Sequence, residues 1–146
     1  MSEITRRDFL KLLKGAGALI GVGAVATPIV AYFYPPKLVE MPEEPVLVCP
    51  ESELPVGGSK TVEFGRYPAI VVNTKDGLKA YSAVCTHFAC LVKWNPDTSQ
   101  LECPCHNGYF DVANGSVISG PPPKPLLALV AEAVDGQIYV KVRGAL

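Results

Sequence analysis

Cysteine and histidine residues gather in two short segments near the middle of the chain. The first box is Cys85-Thr86-His87-Phe88-Ala89-Cys90, and the second box is Cys103-Pro104-Cys105-His106-Asn107-Gly108. Together they hold both of the chain's histidines and four of its five cysteines. Thiolates and imidazoles both bind iron and zinc, so the two boxes predict a metal site. The ligand types by themselves leave a tetrahedral structural zinc open.

The order of ligands resembles one family of iron–sulfur proteins. A Cys-x-His box followed by a Cys-x-x-His box is similar to the Rieske proteins, in which two cysteines hold one iron and two histidines hold the other. The twelve residues between Cys90 and Cys103 match that family as well. The nearest resemblance is to the Rieske subunit of bacterial menaquinol cytochrome bc and cytochrome b-f type complexes. It implies one 2Fe-2S cluster with the ligands Cys85, His87, Cys103 and His106.

The resemblance also implies roles for the residues around the ligands. Cys90 and Cys105 stand where quinol-oxidising members form a disulfide, which an oxidising compartment would preserve. Gly120-Pro121-Pro122-Pro123 is similar to the proline-rich loop that covers the cluster in those proteins. For Cys49, the fifth cysteine, we expect only a small buried hydrophobic side chain.

Two positions depart from the pattern of high-potential members. These carry a serine and a tyrosine after the second box, whose hydroxyls donate hydrogen bonds to cluster sulfurs. Here Gly108 and Phe110 stand at those places, and Tyr109 is one residue away, on the opposite face of a strand. We therefore expect a low potential within the Rieske range of roughly −150 to +300 mV, which suits menaquinol.

The elements that must hold the boxes are predicted to be short strands. Alternating, β-rich runs are separated by Asp76-Gly77, Asn114-Gly115 and Asp135-Gly136, which favour tight turns. We predict an all-β Rieske domain, a small antiparallel β sandwich with a cluster-binding subdomain, plus one N-terminal transmembrane helix. The predicted strands cover residues 60–64, 69–73, 78–84, 127–134 and 137–142.

An uncharged stretch precedes this domain. Residues 15–36 contain no Asp, Glu, Lys or Arg, and as a helix of about 1.5 Å rise per residue they would span roughly 33 Å of bilayer. The preceding segment, residues 5–11, resembles the twin-arginine export signal through Arg6 and Arg7. Alternatively, the arginines are only the positive flank of a membrane helix. Small residues at 24–26 leave cleavage open, but we expect the segment to remain as an anchor.

Three regions are predicted: a signal and anchor in residues 1–34, a proline-rich hinge in residues 35–45, and the 2Fe-2S domain in residues 46–146. Outside residues 1–34 the acidic residues outnumber Lys and Arg by twelve to nine, which argues against nucleic-acid binding. We expect the chain to lie in the bacterial cytoplasmic (inner) membrane as a single-pass protein, with its head on the periplasmic side.

The resemblance implies an electron-transfer subunit of a quinol:cytochrome c oxidoreductase in a respiratory chain. Its partners would be quinol, a cytochrome b subunit, a c-type cytochrome or other haem acceptor, and the lipid bilayer. His106 and His87 would face the quinol and accept its proton as one electron leaves. Two alternatives stay open: the small Rieske subunit of an arsenite-oxidase-type molybdoenzyme, and an electron-transfer module of another respiratory or photosynthetic complex.

Overall fold

The computed structural model describes residues 5–34 and 41–144, which fall into two compact units. The N-terminal unit holds one helix, α1 (Arg6–Phe33), whose first turn is capped by Thr5. The Thr5 side chain accepts a hydrogen bond from the Asp8 N–H at 3.3 Å. The helix has 28 residues and a mean hydropathy of 1.8 in its most apolar window, enough to cross a bilayer once. The predicted hinge falls partly on residues 35–40, which lie outside the described residues.

The C-terminal unit contains ten strands among its described residues, and a single 3-10 turn (Glu51–Glu53) follows the first of them. The strands are β1 Val46–Pro50, β2 Ser59–Val62, β3 Ala69–Thr74, β4 Gly77–Ser82, β5 Lys93–Asn95, β6 Gln100–Cys103, β7 Gly108–Asp111, β8 Val117–Ser119, β9 Ala128–Val134 and β10 Gln137–Val142.

The strands form two antiparallel sheets. The large sheet has the order β1-β10-β9-β4-β3-β2, and the small sheet has the order β5-β6-β7-β8. The small sheet is built from the segment between β4 and β9, and it carries the second box. This arrangement confirms the predicted all-β fold with a separate cluster-binding subdomain.

The predicted turns lie where the chain reverses. Asp135 and Gly136 join β9 to β10 with φ values of 51° and 75°, as a two-residue hairpin turn requires. The five predicted strands correspond to β2, β3, β4, β9 and β10, with ends that differ by two residues or fewer. The ends of a strand are set by its hydrogen bonds to neighbouring strands. The alternation of residues in the sequence does not reveal these bonds.

Two clusters of buried side chains stabilise the unit. One lies within the large sheet and includes Val71, Ile138 and Cys49, so the last is buried, as expected. The other joins the two sheets, because Ile70 of β3 packs in it together with Phe110 of β7. The second cluster also contains Tyr81, Leu101, Cys85 and Cys103.

Two hydrogen bonds reinforce the junction of the sheets. The Tyr81 hydroxyl donates to the Val112 carbonyl at 2.9 Å, joining β4 to the end of β7. The Trp94 indole N–H donates to the Gly57 carbonyl at 2.8 Å, joining β5 to the turn before β2. Trp94 also packs against the cluster that joins the two sheets. The small sheet is therefore held in place by two hydrogen bonds in addition to the apolar contact.

Candidate metal centre

The first box is a compact loop at the end of β4. A bridge between Val84 and Leu91 closes its base. Within it, the Cys85 N–H donates to the Cys90 carbonyl at 2.7 Å, and the Ala89 N–H donates to the Cys85 carbonyl at 3.1 Å. Ala89 has a φ of 56°, a left-handed conformation that an alanine adopts at a cost. A glycine would adopt this conformation without that cost.

The second box is the loop between β6 and β7. Cys103 ends β6 and pairs with Gly108, the first residue of β7, so the intervening residues form a hairpin loop. Asn107 has a φ of 52°. Asparagine tolerates this region better than most other side chains do, so Asn107 suits this position of the loop.

Covalent and polar contacts link the two boxes to each other and to the proline-rich segment, residues 120–124. The disulfide between Cys90 and Cys105 joins the first box to the second, and it confirms the predicted pairing. The Thr86 hydroxyl donates to the Lys124 carbonyl at 2.6 Å and joins the first box to the segment after the prolines.

The two loops carry two free thiols and a pair of adjacent imidazoles. Cys85 and Cys103 are each 3% exposed and are not in a disulfide. The ring centroids of His87 and His106 are 4.9 Å apart, with the rings nearly perpendicular at 86°. The structure thus buries the two cysteines and brings the two histidines together, and the assignment of all four as ligands stays a prediction.

One atom in this group stands out. Among the described residues, His87 Nδ1 is a buried side-chain nitrogen without a hydrogen-bond partner. A buried polar atom left in this state is costly unless something binds it. A metal ion is a suitable partner, because a neutral imidazole binds metals through a ring nitrogen.

The environment of Cys85 combines opposing effects. Burial raises the pKa of its thiol, while the backbone N–H groups of His87 and Phe88 donate to the sulfur and lower it. A thiol must lose its proton to bind a metal, and N–H donors of this kind stabilise the thiolate that results.

Sequence reasoning missed two neighbours of the site. Phe88 is 73% exposed, and its ring centroid lies 4.3 Å from that of His87 and 6.1 Å from that of His106. Leu91, which follows the first box, is 50% exposed. Phe88 could have been found from the sequence, because a large apolar side chain in a metal-binding loop has little core to pack into and is therefore expected at the surface.

The strand after the second box alternates as expected. Gly108 and Phe110 are buried, whereas Tyr109 between them is half-buried. The pairing of β7 with β8 shifts register between Tyr109 and Phe110. The alternation of burial is kept despite this shift, so Tyr109 faces away from the cluster of side chains that contains Phe110 and Cys103.

Two Cys/His loops at one end of a two-sheet β domain define the class of redox metal proteins that bind an iron–sulfur cluster through mixed ligands. The family model for the Rieske [2Fe-2S] domain matches residues 44–138. The chain therefore belongs to the Rieske [2Fe-2S] family and binds one 2Fe-2S cluster.

Individual relatives agree with this assignment. The chain is 38% identical over 142 residues to the cytochrome b6-f complex iron-sulfur subunit of Chlorobaculum tepidum, covering 96% of this chain and 77% of the relative. It is 34% identical to cytochrome b6-f complex iron-sulfur subunit 1 of Nostoc sp., over 94% of this chain and 84% of the relative.

A solved structure resembles the fold. The cyanobacterial plasma membrane Rieske protein PetC3 from Synechocystis PCC 6803 aligns with a TM-score of 0.60 at 27% identity. The alignment covers 66% of this chain and 99% of that protein.

The side chains present fit a 2Fe-2S cluster. Two buried thiols without a disulfide suit one iron, and two adjacent imidazoles, one with an unpartnered ring nitrogen, suit the other. The disulfide removes Cys90 and Cys105 from the set of available ligands, although their sulfurs lie within 4.8 Å of the sulfur of Cys103.

Proposed function

We propose that this chain is the Rieske subunit of a quinol oxidoreductase that oxidises menaquinol and delivers electrons to a c-type haem. The observation that carries the proposal is the likeness to cytochrome b6-f iron-sulfur subunits over 96% of the chain, the N-terminal helix included. The Cys90–Cys105 disulfide supports it further, because the resemblance assigns a disulfide at these positions to quinol-oxidising members of the family.

In this proposal Cys85 and Cys103 hold one iron and His87 and His106 hold the other. The bound cluster supplies one-electron transfer. Each imidazole would keep one ring nitrogen free, and that nitrogen of His106 or of His87 would accept a hydrogen bond and then one proton from quinol. His106 is exposed, so quinol reaches it from outside the domain.

Phe88 supplies part of the contact with the partner. Its exposed ring next to both histidines forms an apolar rim, which a cytochrome b subunit covers when the head docks. Covering the rim excludes water from the histidines and strengthens their hydrogen bonds to the quinol.

In this proposal the head is anchored at a bacterial cytoplasmic membrane, and the apolar N-terminal helix supports that location. Helix α1 is the single anchor, and residues 5–11 act as a twin-arginine signal that exports the head, already folded, to the periplasmic side. The sequence of residues 35–45, of which 35–40 lie outside the described residues, supports a hinge here, because a proline-rich linker acts as a semi-rigid spacer. The hinge lets the head move between the cytochrome b subunit and the haem acceptor.

The test is an electron paramagnetic resonance redox titration of native membranes, with and without the quinol-site inhibitor stigmatellin. We expect a Rieske signal whose shape and midpoint change with the inhibitor. A signal whose shape and midpoint do not change with the inhibitor would contradict the quinol site. It would favour a molybdoenzyme subunit or a static electron-transfer module instead.

The ligand set has its own test. Cys103→Ser should abolish the Rieske signal, whereas Cys49→Ser, at a buried cysteine outside the boxes, should retain it. If the Cys103→Ser protein kept an unaltered signal, Cys103 would not be a ligand.

A further inference from the structure

The second box and the proline-rich segment approach each other closely at Gly108. Gly108 is buried, and a Cβ atom built there would lie 2.7 Å from Pro122 Cγ and 3.2 Å from Pro122 Cδ. The same Cβ would lie 3.5 Å from Cys103 Cβ. The ring of Pro122 thus occupies the space that a side chain at position 108 would need, next to Cys103.

A second contact fixes the proline-rich segment in this position. Gly120 has a φ of 96°, and a Cβ there would come 2.5 Å from the Asn107 carbonyl oxygen and 2.8 Å from Gly108 Cα. Only a glycine allows the two backbones to approach this closely. Of the three prolines that follow, Pro122 is buried and the other two are exposed, so the middle ring is the one held against the second box.

The surface that Gly108 and the proline-rich segment present beside Cys103 contains few hydrogen-bond donors. Proline has no backbone N–H, so residues 121–123 offer no main-chain donor to anything beneath them. Gly108 contributes no hydroxyl. Hydrogen bonds to the sulfurs and solvent exposure are two of the factors that set the potential of an iron–sulfur cluster. A dry surface without donors disfavours the extra negative charge of the reduced state.

We propose that Gly108 and Pro122 form an interlocked pair that seals the Cys103 side of the cluster with a donor-free cover and thereby holds its reduction potential low. The proposal rests on the assignment of Cys103 as a ligand under the proposed function. Pro122 is a positioning residue, because it acts on the cluster by excluding donors and water.

The pair predicts that the two positions are coupled. A serine at 108 has no room while Pro122 is present, so Gly108→Ser alone should displace the cover, distort the resonance line shape and lower cluster content. Gly108→Ser combined with Pro122→Ala has room for the hydroxyl beside Cys103. We expect the double variant to recover the cluster and to show a midpoint above wild type by more than the sum of the two single changes.

The control is Pro123→Ala, which adds one N–H in the same segment but on an exposed residue that leaves the space at 108 closed. Its midpoint should equal that of wild type. The readouts are the midpoint and line shape in a redox titration followed by electron paramagnetic resonance, on the full-length protein in membranes.

Two results would overturn the pair. One is a double variant with a normal Rieske signal and an unchanged midpoint. The other is Gly108→Ser alone reaching the midpoint of the double variant with normal cluster content, which would show that Pro122 does not restrict position 108. Neither result would affect the ligand assignment, which would fail only if Cys103→Ser kept the Rieske signal.

Discussion

Single residues around the boxes are held in backbone conformations that few side chains favour. Ala89 is the most informative, because its φ of 56° lies where an L-residue with a Cβ pays a steric cost of about 1–2 kcal/mol. Glycine avoids this cost but loses about 0.5–1 kcal/mol through the greater freedom of the unfolded chain. The balance favours glycine at this position.

We therefore expect Ala89→Gly to raise the free energy of unfolding by up to about 1 kcal/mol. The measurement is the thermal midpoint of the head, followed by circular dichroism. Ala113→Gly is the matched control, since Ala113 is exposed and is not among the residues with positive φ. The control should lower stability by about 0.5–1 kcal/mol. A loss of stability at both positions would contradict the strain at Ala89.

Titration of Tyr81 lowers the stability of the domain at alkaline pH. Burial raises the pKa of its hydroxyl above the ordinary 10.0, and the nearby Asp111 carboxylate raises it further. Between the two pKa values the unfolded chain has lost this proton and the folded chain has kept it. Stability from this group is therefore complete below pH 10 and declines as the pH rises toward the folded pKa.

The prediction is that Tyr81→Phe weakens this decline. The variant should be less stable at neutral pH by about 0.5–1.5 kcal/mol, because the bond to the Val112 carbonyl is lost. Chemical denaturation at pH 8 and pH 10.5 measures both effects. An equal fall in stability with pH in the two proteins would show that another group is responsible.

At the scale of elements, the disulfide is the link that closes the loops around the cluster. Its two cysteines are 15 residues apart in sequence. A loop of that size contributes about 3 kcal/mol in the chain-entropy description. Cys90→Ala with Cys105→Ala should lose about 2–4 kcal/mol of stability and release its cluster at a lower temperature.

Absorbance of the cluster during heating, with and without a thiol reductant, measures this loss. The reductant should lower the release temperature of wild type and of the Cys49→Ala control, and should have no effect on the double variant. If the reductant left wild type unchanged, the disulfide would not limit cluster release.

The strands show how far the sequence determines the elements. Alternation and turn dipeptides predicted β9 and β10 closely, because Asp135-Gly136 fixes their register locally. The strands of the small sheet have three or four residues each and lie next to metal-binding loops, so periodicity has too few residues to be detected. The two boxes could be recognised in the sequence because few residue types bind metals, and cysteine and histidine are among them.

Contacts between distant segments could not be predicted in the same way. The contact of Pro122 with Gly108 and the bond from Thr86 to Lys124 join parts of the chain that only the folded structure brings together. The sequence indicated that Gly108 stands where high-potential members carry a serine. It did not indicate that the ring of Pro122 fills the space of that side chain. Such packing depends on the positions of whole loops, which no local pattern encodes.

At the scale of the whole molecule, the N-terminal segment admits two interpretations that differ in one respect. A twin-arginine signal requires arginine at residues 6 and 7, whereas a positive flank of a membrane helix requires only charge. Changing Arg6 and Arg7 to lysine keeps the charge. We expect this variant to leave the head on the cytoplasmic side, where external protease in spheroplasts does not reach it.

A variant with both residues changed to glutamine serves as the comparison, since it removes the charge as well. Export of the lysine variant at the wild-type level would contradict the twin-arginine signal. It would then identify the arginines as the positive flank of α1.

The links among the first box, the second box and the proline-rich segment form a triangle. The disulfide joins the first two, the contact of Gly108 with Pro122 joins the second and third, and the bond from Thr86 to Lys124 joins the third to the first. In a triangle, any one side can be broken while all three corners remain connected through the other two. Loss of one side therefore loosens the centre without separating the three segments, and substitutions at two different sides should cost more together than their separate effects suggest.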